Sequence, residues 1–121
     1  MGTRGFIIIK FRNTYYKIYS HWDSYPSELG KKVIDFLKTL QEHNELEQSE
    51  ECLKAIIQYF VTTCKNEVVE EDGQLSIMIE WIYKMDLDQL QLTVENWDKT
   101  QTFPLSSDLD AIFHEMCKMG H

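Results

Sequence analysis

Two stretches near the start of the chain are rich in β-branched and aromatic residues, which is typical of strands. They are GFIIIKFR (5–12) and YYKIYSHW (15–22), with the short polar pair Asn13-Thr14 between them. A short polar turn between two such runs predicts a β-hairpin.

The register of this hairpin depends on its turn. With Asn13 and Thr14 in the turn, Arg4 lies opposite Asp23 and Gly5 lies opposite Trp22. Side chains alternate between the two faces of a strand. The face predicted to join the core carries Ile7, Ile9, Phe11, Tyr16 and Ile18. The other face carries Arg4, Phe6, Tyr19, His21 and Asp23.

Three amphipathic helices are predicted by apolar residues that recur every three or four positions. The first begins near Pro26 with Ser24 as its N-cap, the second begins at Ser49, and the third begins at Ser107. Their apolar positions are Leu29, Val33, Phe36, Leu37 and Leu40 in the first, Leu53, Ile56, Ile57 and Phe60 in the second, and Leu109, Ile112, Phe113 and Met116 in the third.

A second hairpin is predicted between the second and third helices. Residues 75–86 and 90–94 alternate in polarity, and the charged stretch 64–73 before them indicates a loop. The chain is therefore predicted to be one α+β domain over residues 1–121, in the order ββ-α-α-ββ-α. Its antiparallel sheet has about four strands in two hairpins, and three helices pack mainly on one face. Trp81 and Tyr83, expected on an edge strand, predict a homodimer.

Composition narrows the class of protein. The chain is 43% hydrophobic and 26% charged, as in globular domains. Its net charge of −8 is uneven: residues 1–40 carry seven Lys or Arg against three acids, and the remainder carries five against seventeen. The acidic part disfavours nucleic-acid binding, and no apolar run is long enough to span a membrane. Three widely spaced cysteines without a signal peptide predict free thiols and a cytoplasmic, intracellular protein.

Five polar residues meet at the open end of the first hairpin, namely Thr3, Arg4, His21, Asp23 and Tyr25. One interpretation is structural, with an Arg4–Asp23 ion pair that closes the hairpin. The other is a binding pocket. There, Arg4 and the first N–H groups of the following helix hold a phosphate or carboxylate, His21 exchanges a proton near neutral pH, and Thr3 and Tyr25 add hydroxyl groups.

The start GTRG and the later HWDSYP resemble a family of small proteins from bacteria, phages, fungi and large DNA viruses. These proteins share a Thr-Arg start and a His-x-Asp-x-Tyr-Pro motif. The stretch WIYKMDLDQLQLTV (81–94) is similar to a strand–turn–strand of the fungal and viral members. The resemblance implies a site at the same hairpin end and implies no particular activity. If the chain is viral, its place is the host cytoplasm.

Other motifs add little chemistry. His114, Cys117 and His121 lie at helical spacing, but this stripe borders the apolar face and His121 is the last residue, so no metal site is predicted. The chain has no CxxC, GxGxxG, P-loop or GxSxG motif, and no cofactor is predicted.

The function predicted from these residues is a non-catalytic binding or interaction domain. Its polar pocket at the mouth of the first hairpin takes an anionic ligand or a peptide. The alternative is a small hydrolase with His21 as general base, Asp23 to orient it and Arg4 as anion clamp. Binding is preferred because His21 and Asp23, two residues apart on a strand, are too distant for a reliable hydrogen bond.

Overall fold

The computed structural model describes residues 3–71 and 80–119 of the chain. The strands are β1 (Gly5–Phe11), β2 (Thr14–Ser20), β3 (Val68–Glu71), β4 (Trp81–Asp86), β5 (Gln91–Asn96) and β6 (Thr100–Pro104). The helices are α1 (Lys31–Glu42), α2 (Glu50–Cys64) and α3 (Leu109–Cys117), and a π-helical turn (Pro26–Gly30) leads directly into α1.

The six strands form one mixed sheet in the order β3-β2-β1-β4-β5-β6. Neighbouring strands are antiparallel except β1 and β4, which are parallel. The predicted antiparallel sheet of about four strands is therefore wrong, as is the order ββ-α-α-ββ-α. The α+β class and the three helices are correct. An alternating pattern shows which residues share a face, but it does not show the direction of the partner strand.

The two strands that lie outside the predicted hairpins form the edges of this sheet. β3 lies within the charged stretch 64–73 that was predicted to be a loop, and β6 follows the turn after β5. Edge strands are short and polar in many proteins because one side of the strand has no partner strand, and so their signal in sequence is weak. The predicted strand over residues 75–86 begins at Trp81 in the structure, and residues 75–79 lie outside the described residues.

The first hairpin turns at Arg12 and Asn13 rather than at Asn13 and Thr14. Both turn residues have positive φ, 52° and 62°, as a type I′ turn requires and a β-branched Thr resists. The Asp88 carboxylate accepts the N–H groups of Arg12 (2.7 Å) and Asn13 (3.2 Å) and so supports this backbone. Relative to the predicted register, the pairing of β1 with β2 is shifted by two residues, so that Ile7 lies opposite Ile18. A shift of two residues keeps every side chain on its predicted face, and the core face is therefore unchanged.

The helices pack on the face of the sheet that carries the predicted core residues. Fully buried side chains of the strands and helices form one cluster, whose largest members include Ile7, Ile9, Ile18, Leu37, Ile56, Phe60, Tyr83 and Met116. Trp81 and Tyr83 belong to this cluster because β4 is an interior strand. The prediction that Trp81 and Tyr83 lie on an edge strand is therefore wrong, and it was the basis on which a homodimer was expected. No helix in the described part of the chain is long and apolar enough to cross a membrane.

Candidate functional site

The segment between β2 and α1 is held by one buried serine. The Ser24 N–H donates to the carbonyl of Thr3 (3.0 Å), and its Oγ donates to the carbonyl and Oγ of Ser20 (3.3 and 3.0 Å). Its carbonyl accepts a hydrogen bond from the Tyr83 hydroxyl (2.7 Å). Ser24 is thus a structural centre of the junction. It does not cap the first helix, whose N-cap is Tyr25, and the Tyr25 side chain makes no capping hydrogen bond to the helix backbone.

Gly5 lies directly below this serine. Its partner in β2 is Ser20 rather than the predicted Trp22. A Cβ at this position would lie 2.7 Å from the Ser24 Cβ and 2.8 Å from the Trp81 carbonyl oxygen. The junction therefore requires glycine in β1, because a side chain would collide with both the loop and the backbone of β4.

Arg4 binds a different carboxylate from the one predicted. Its Nη2 lies 3.5 Å from Glu80 Oε1, and its backbone N–H donates to Glu80 Oε2. The predicted pair with Asp23 is wrong because the shifted register ends β2 at Ser20. Asp23 follows in a loop with φ of 51°. Its negative charge is the main cause that raises the pKa of Tyr25, with smaller contributions from burial, from Glu28 and from a Tyr25–Asp23 hydrogen bond.

His21 is the third of four aromatic rings in a row that runs from Phe6 through Tyr19 to Trp22, and His21 and Trp22 are exposed. Its Nδ1 lies 2.9 Å from the Tyr19 hydroxyl, and its ring meets the edge of Trp22 at a centroid distance of 4.5 Å. Tyr19 in turn contacts Phe6 of β1, with centroids 5.7 Å apart. Trp22 ends the row and is 63% exposed, so it offers a large apolar surface to solvent.

Beside this row lies a cavity of about 220 Å³. We call it the hairpin-end pocket. Its lining residues are Ser20, His21, Trp22, Asp23, Glu28, Leu29, Lys32, Thr63, Cys64 and Lys65. The pocket lies between the end of β2, the start of the first helix and the end of α2, so its chemistry is assembled from three separate parts of the chain.

The end of α2 is fastened to β2, which fixes one wall of the pocket. Lys65 ends the helix with a φ of 56°. The Asn66 side-chain amide then donates to the carbonyls of Tyr19 and Cys64, each at 3.0 Å. Within residues 3–71 and 80–119, neither Lys65 nor Lys32 forms an ion pair. Two lysines without carboxylate partners therefore line the same cavity.

Cys64 contributes a thiol to the pocket, but not an activated one. Burial is the main cause that raises the pKa of this thiol, and a hydrogen bond with Ser20 and the charge of Lys32 only partly oppose it. A reactive cysteine needs a lowered pKa, because the thiolate is the nucleophile. This arrangement favours a lining role for Cys64.

The first N–H groups of the helix were predicted to help hold an anion. Three of them already have partners in the chain. Glu28 and Gly30 donate to the Tyr25 carbonyl at 3.0 and 3.5 Å, and Leu29 donates to the Asp23 carbonyl at 3.2 Å. Any anion in the pocket must therefore be bound mainly by side chains.

Of the five residues predicted for the site, only His21 and Asp23 line the hairpin-end pocket. Thr3 contributes a backbone carbonyl to the junction, Arg4 is paired with Glu80, and Tyr25 is paired with Asp23. Sequence reasoning missed the lysines from α1 and α2. The excess of positive charge in residues 1–40 was the only feature of the sequence that pointed to Lys32. Nothing in the sequence pointed to Lys65, because the tertiary structure brings the end of α2 to this pocket.

The described part of the chain contains no group of three or more His, Cys, Asp or Glu residues that could hold a metal ion. Comparisons with protein-family models, curated proteins and solved structures find nothing that matches this chain. The resemblance to the Thr-Arg and His-x-Asp-x-Tyr-Pro proteins stays a prediction.

Proposed function

We propose that this chain is a non-catalytic binding domain whose hairpin-end pocket holds an anionic group of a small ligand or peptide. The observation that carries the proposal is the pair of lysines, Lys32 and Lys65, which line one cavity without a carboxylate partner in the described chain. A charged ligand group that met both would gain charge-assisted hydrogen bonds.

The charges around the lysines favour a carboxylate over a more highly charged anion. Asp23 and Glu28 line the same cavity, so the total charge of the lining is close to zero when His21 is neutral. A group with a single negative charge fits such a site better than a phosphate dianion, which the two carboxylates would repel. The carboxylate of a peptide or of a small organic acid is therefore the expected ligand group.

The size of the pocket limits how much of the ligand it encloses. Its volume of about 220 Å³ is below the range of roughly 300–1,000 Å³ that is usual for drug-sized ligands. The pocket would enclose one terminal group, while the rest of the ligand lies outside it. Trp22, which is 63% exposed, is placed to contact that outer part, and exposed tryptophans are frequent contributors to binding.

The described contacts favour binding over the alternative, a small hydrolase, although His21 and Asp23 line the same cavity. Arg4, its proposed anion clamp, is paired with Glu80. His21, its proposed base, is hydrogen-bonded to a tyrosine hydroxyl, whereas a carboxylate usually orients a catalytic histidine. We further propose an intracellular location, supported by the free thiols of Cys52, Cys64 and Cys117.

Calorimetric titration with two matched peptides tests the proposal. One peptide has a free C-terminal carboxylate and the other is its C-terminal amide. We expect the wild type to bind the free acid at least about tenfold more tightly, a difference of about 1.4 kcal/mol. Phosphate at the same ionic strength should bind more weakly than the free acid.

Three variants locate the binding. Lys32→Gln and Lys65→Gly each remove one lysine, and glycine suits the left-handed backbone at position 65. Lys54→Gln is the matched control: it removes the same charge from an exposed position of α2 about 15 Å along the helix from its end. Weaker binding in the first two variants alone supports the proposal. Equal loss in Lys54→Gln, or equal binding of acid and amide, contradicts it.

A further inference from the structure

A second cavity, of about 470 Å³, lies at the end of the sheet opposite the hairpin-end pocket. It is bounded by the end of α1, the turn between β4 and β5, and the residues after β6. Four of its lining residues carry carboxamides, namely Gln41, Asn44, Gln89 and Gln91. We call it the carboxamide pocket.

The lining contains no Asp, Glu, Lys, Arg or His, although 26% of the chain is charged. The chain has seven Gln and four Asn, so more than a third of its carboxamides line this one cavity. In the part of the chain that the structure describes, none of these four side chains has a hydrogen-bond partner. The cavity therefore offers donors and acceptors together without a charge.

The remaining lining is largely aliphatic, with Leu46, Leu90 and Leu105 among its members. Leu90 has a φ of 52°, a left-handed conformation that is strained for leucine and usual for glycine or asparagine. Such strain is concentrated at functional sites. Glycine at position 90 would adopt this turn conformation without strain, but it would remove an apolar side chain from the lining of the pocket.

We propose that the carboxamide pocket binds an uncharged small molecule that presents an amide-type edge, with an N–H group beside a carbonyl or ring nitrogen. A carboxamide carries an acceptor and a donor side by side, so it pairs with the same arrangement in a ligand. Glutamine and asparagine recognise adenine in this way. The aliphatic residues supply the apolar surface that ligand sites usually have, and the volume is within the usual range.

This inference is independent of the proposed function, because the two cavities share no residue and charged residues line only the hairpin-end pocket of the two. The amide edge has two chemical sources, a nucleobase or a blocked amino acid. The probes are therefore adenine, uracil and N-acetyl-leucinamide, with free leucine as the charged comparison. Proton–nitrogen NMR spectra follow the side-chain NH₂ signals of the four carboxamides directly.

We expect at least one of the three neutral probes to shift these NH₂ signals saturably. Gln41→Met and Gln89→Met, which remove the amide at similar size, should weaken that binding about tenfold or more. Gln58→Met, at an exposed position of α2 outside the pocket, should leave it unchanged. Binding of the bases alone identifies a nucleobase site, and binding of the blocked amino acid alone identifies a peptide-group site.

Three results would overturn the inference. The first is the absence of saturable shifts with every neutral probe at about 10 mM, which excludes binding of even millimolar affinity. The second is tighter binding of free leucine than of N-acetyl-leucinamide. The third is an equal loss of binding in Gln58→Met and in the pocket variants.

Discussion

Replacement of Gly5 by alanine should destabilise the protein through one added methyl group. The new Cβ would lie 2.7 Å from the Ser24 Cβ and 2.8 Å from the Trp81 carbonyl oxygen. The carbonyl belongs to the adjacent strand β4, so it cannot move away without disturbing the sheet. Ser24 is equally constrained because its backbone and side chain are both hydrogen-bonded.

The size of the effect follows from the cost of overpacking a buried site. Overpacking usually costs about 1–3 kcal/mol, and the rigid backbone contact places Gly5→Ala near the upper end. For a domain of this size the melting temperature should fall by roughly 10 °C. Alanine would otherwise be favoured over glycine in a strand, because it reduces the freedom of the unfolded chain.

Urea denaturation of a double-mutant cycle measures the clash itself. Ser24→Gly alone should destabilise, because it removes hydrogen bonds worth about 1 kcal/mol each. It also removes the Ser24 Cβ and Oγ, so the double variant should be more stable than the sum of the two singles by about 1 kcal/mol or more. A Gly5→Ala protein as stable as wild type, or strictly additive effects, would refute this description of the junction.

Asp88→Ala should lower the free energy of unfolding by about 1–2 kcal/mol, because two N–H groups of the first hairpin's turn lose their acceptor; Asp88→Asn, which keeps one acceptor oxygen, should lose less in the same urea titration. Tyr83→Phe should cost about 1–2 kcal/mol through loss of a buried hydrogen bond. Burial raises the pKa of Tyr83, so its contribution is complete below the ordinary tyrosine pKa of about 10 and decreases at higher pH. Stability measured between about pH 9 and 11 should therefore fall less steeply in this variant than in wild type. A double-mutant cycle should give a coupling of about 0–1 kcal/mol for Arg4 with Glu80, whose side chains are partly exposed to solvent, and none for Arg4 with Asp23.

The parts of the fold that local patterns encode were predictable. Ser49 was predicted to start the second helix, and its side chain accepts the Cys52 N–H as an N-cap. The core face of the first hairpin was also correct, since its alternation persists after a shift of two residues. The third helix begins one residue later than predicted, with Asp108 rather than Ser107 as the cap.

The parts that depend on distant residues were not predictable from the pattern. The turn of the first hairpin is supported by Asp88, which is 76 positions from Arg12 in the chain. Arg4 likewise pairs with Glu80, 76 positions away in the chain, instead of with the predicted partner Asp23. The parallel pairing of β1 with β4 has no local signal, because the hydrophobic period is the same for both strand directions.

Of the five polar residues predicted at the hairpin end, the structure places two around one cavity. HWDSYP was expected to gather polar residues at the hairpin end, and His21 and Asp23 do line the cavity there. Ser24, in the same motif, is fully buried and explains much of why Gly5 is glycine. Its role was not visible in sequence because a serine before Pro26 also has the pattern of a helix cap.

NMR chemical-shift mapping with the carboxylate-ended peptide shows directly which residues of the protein the ligand contacts. The indole N–H of Trp22 and the backbone N–H groups of Lys32 and Lys65 report on the hairpin-end pocket from its three walls. We expect saturable shifts at these three positions with the free acid, and smaller shifts at the same concentration of the C-terminal amide, which should bind at least about tenfold more weakly. Shifts confined to another surface, or identical shifts with acid and amide, would contradict the assignment of this pocket as the binding site.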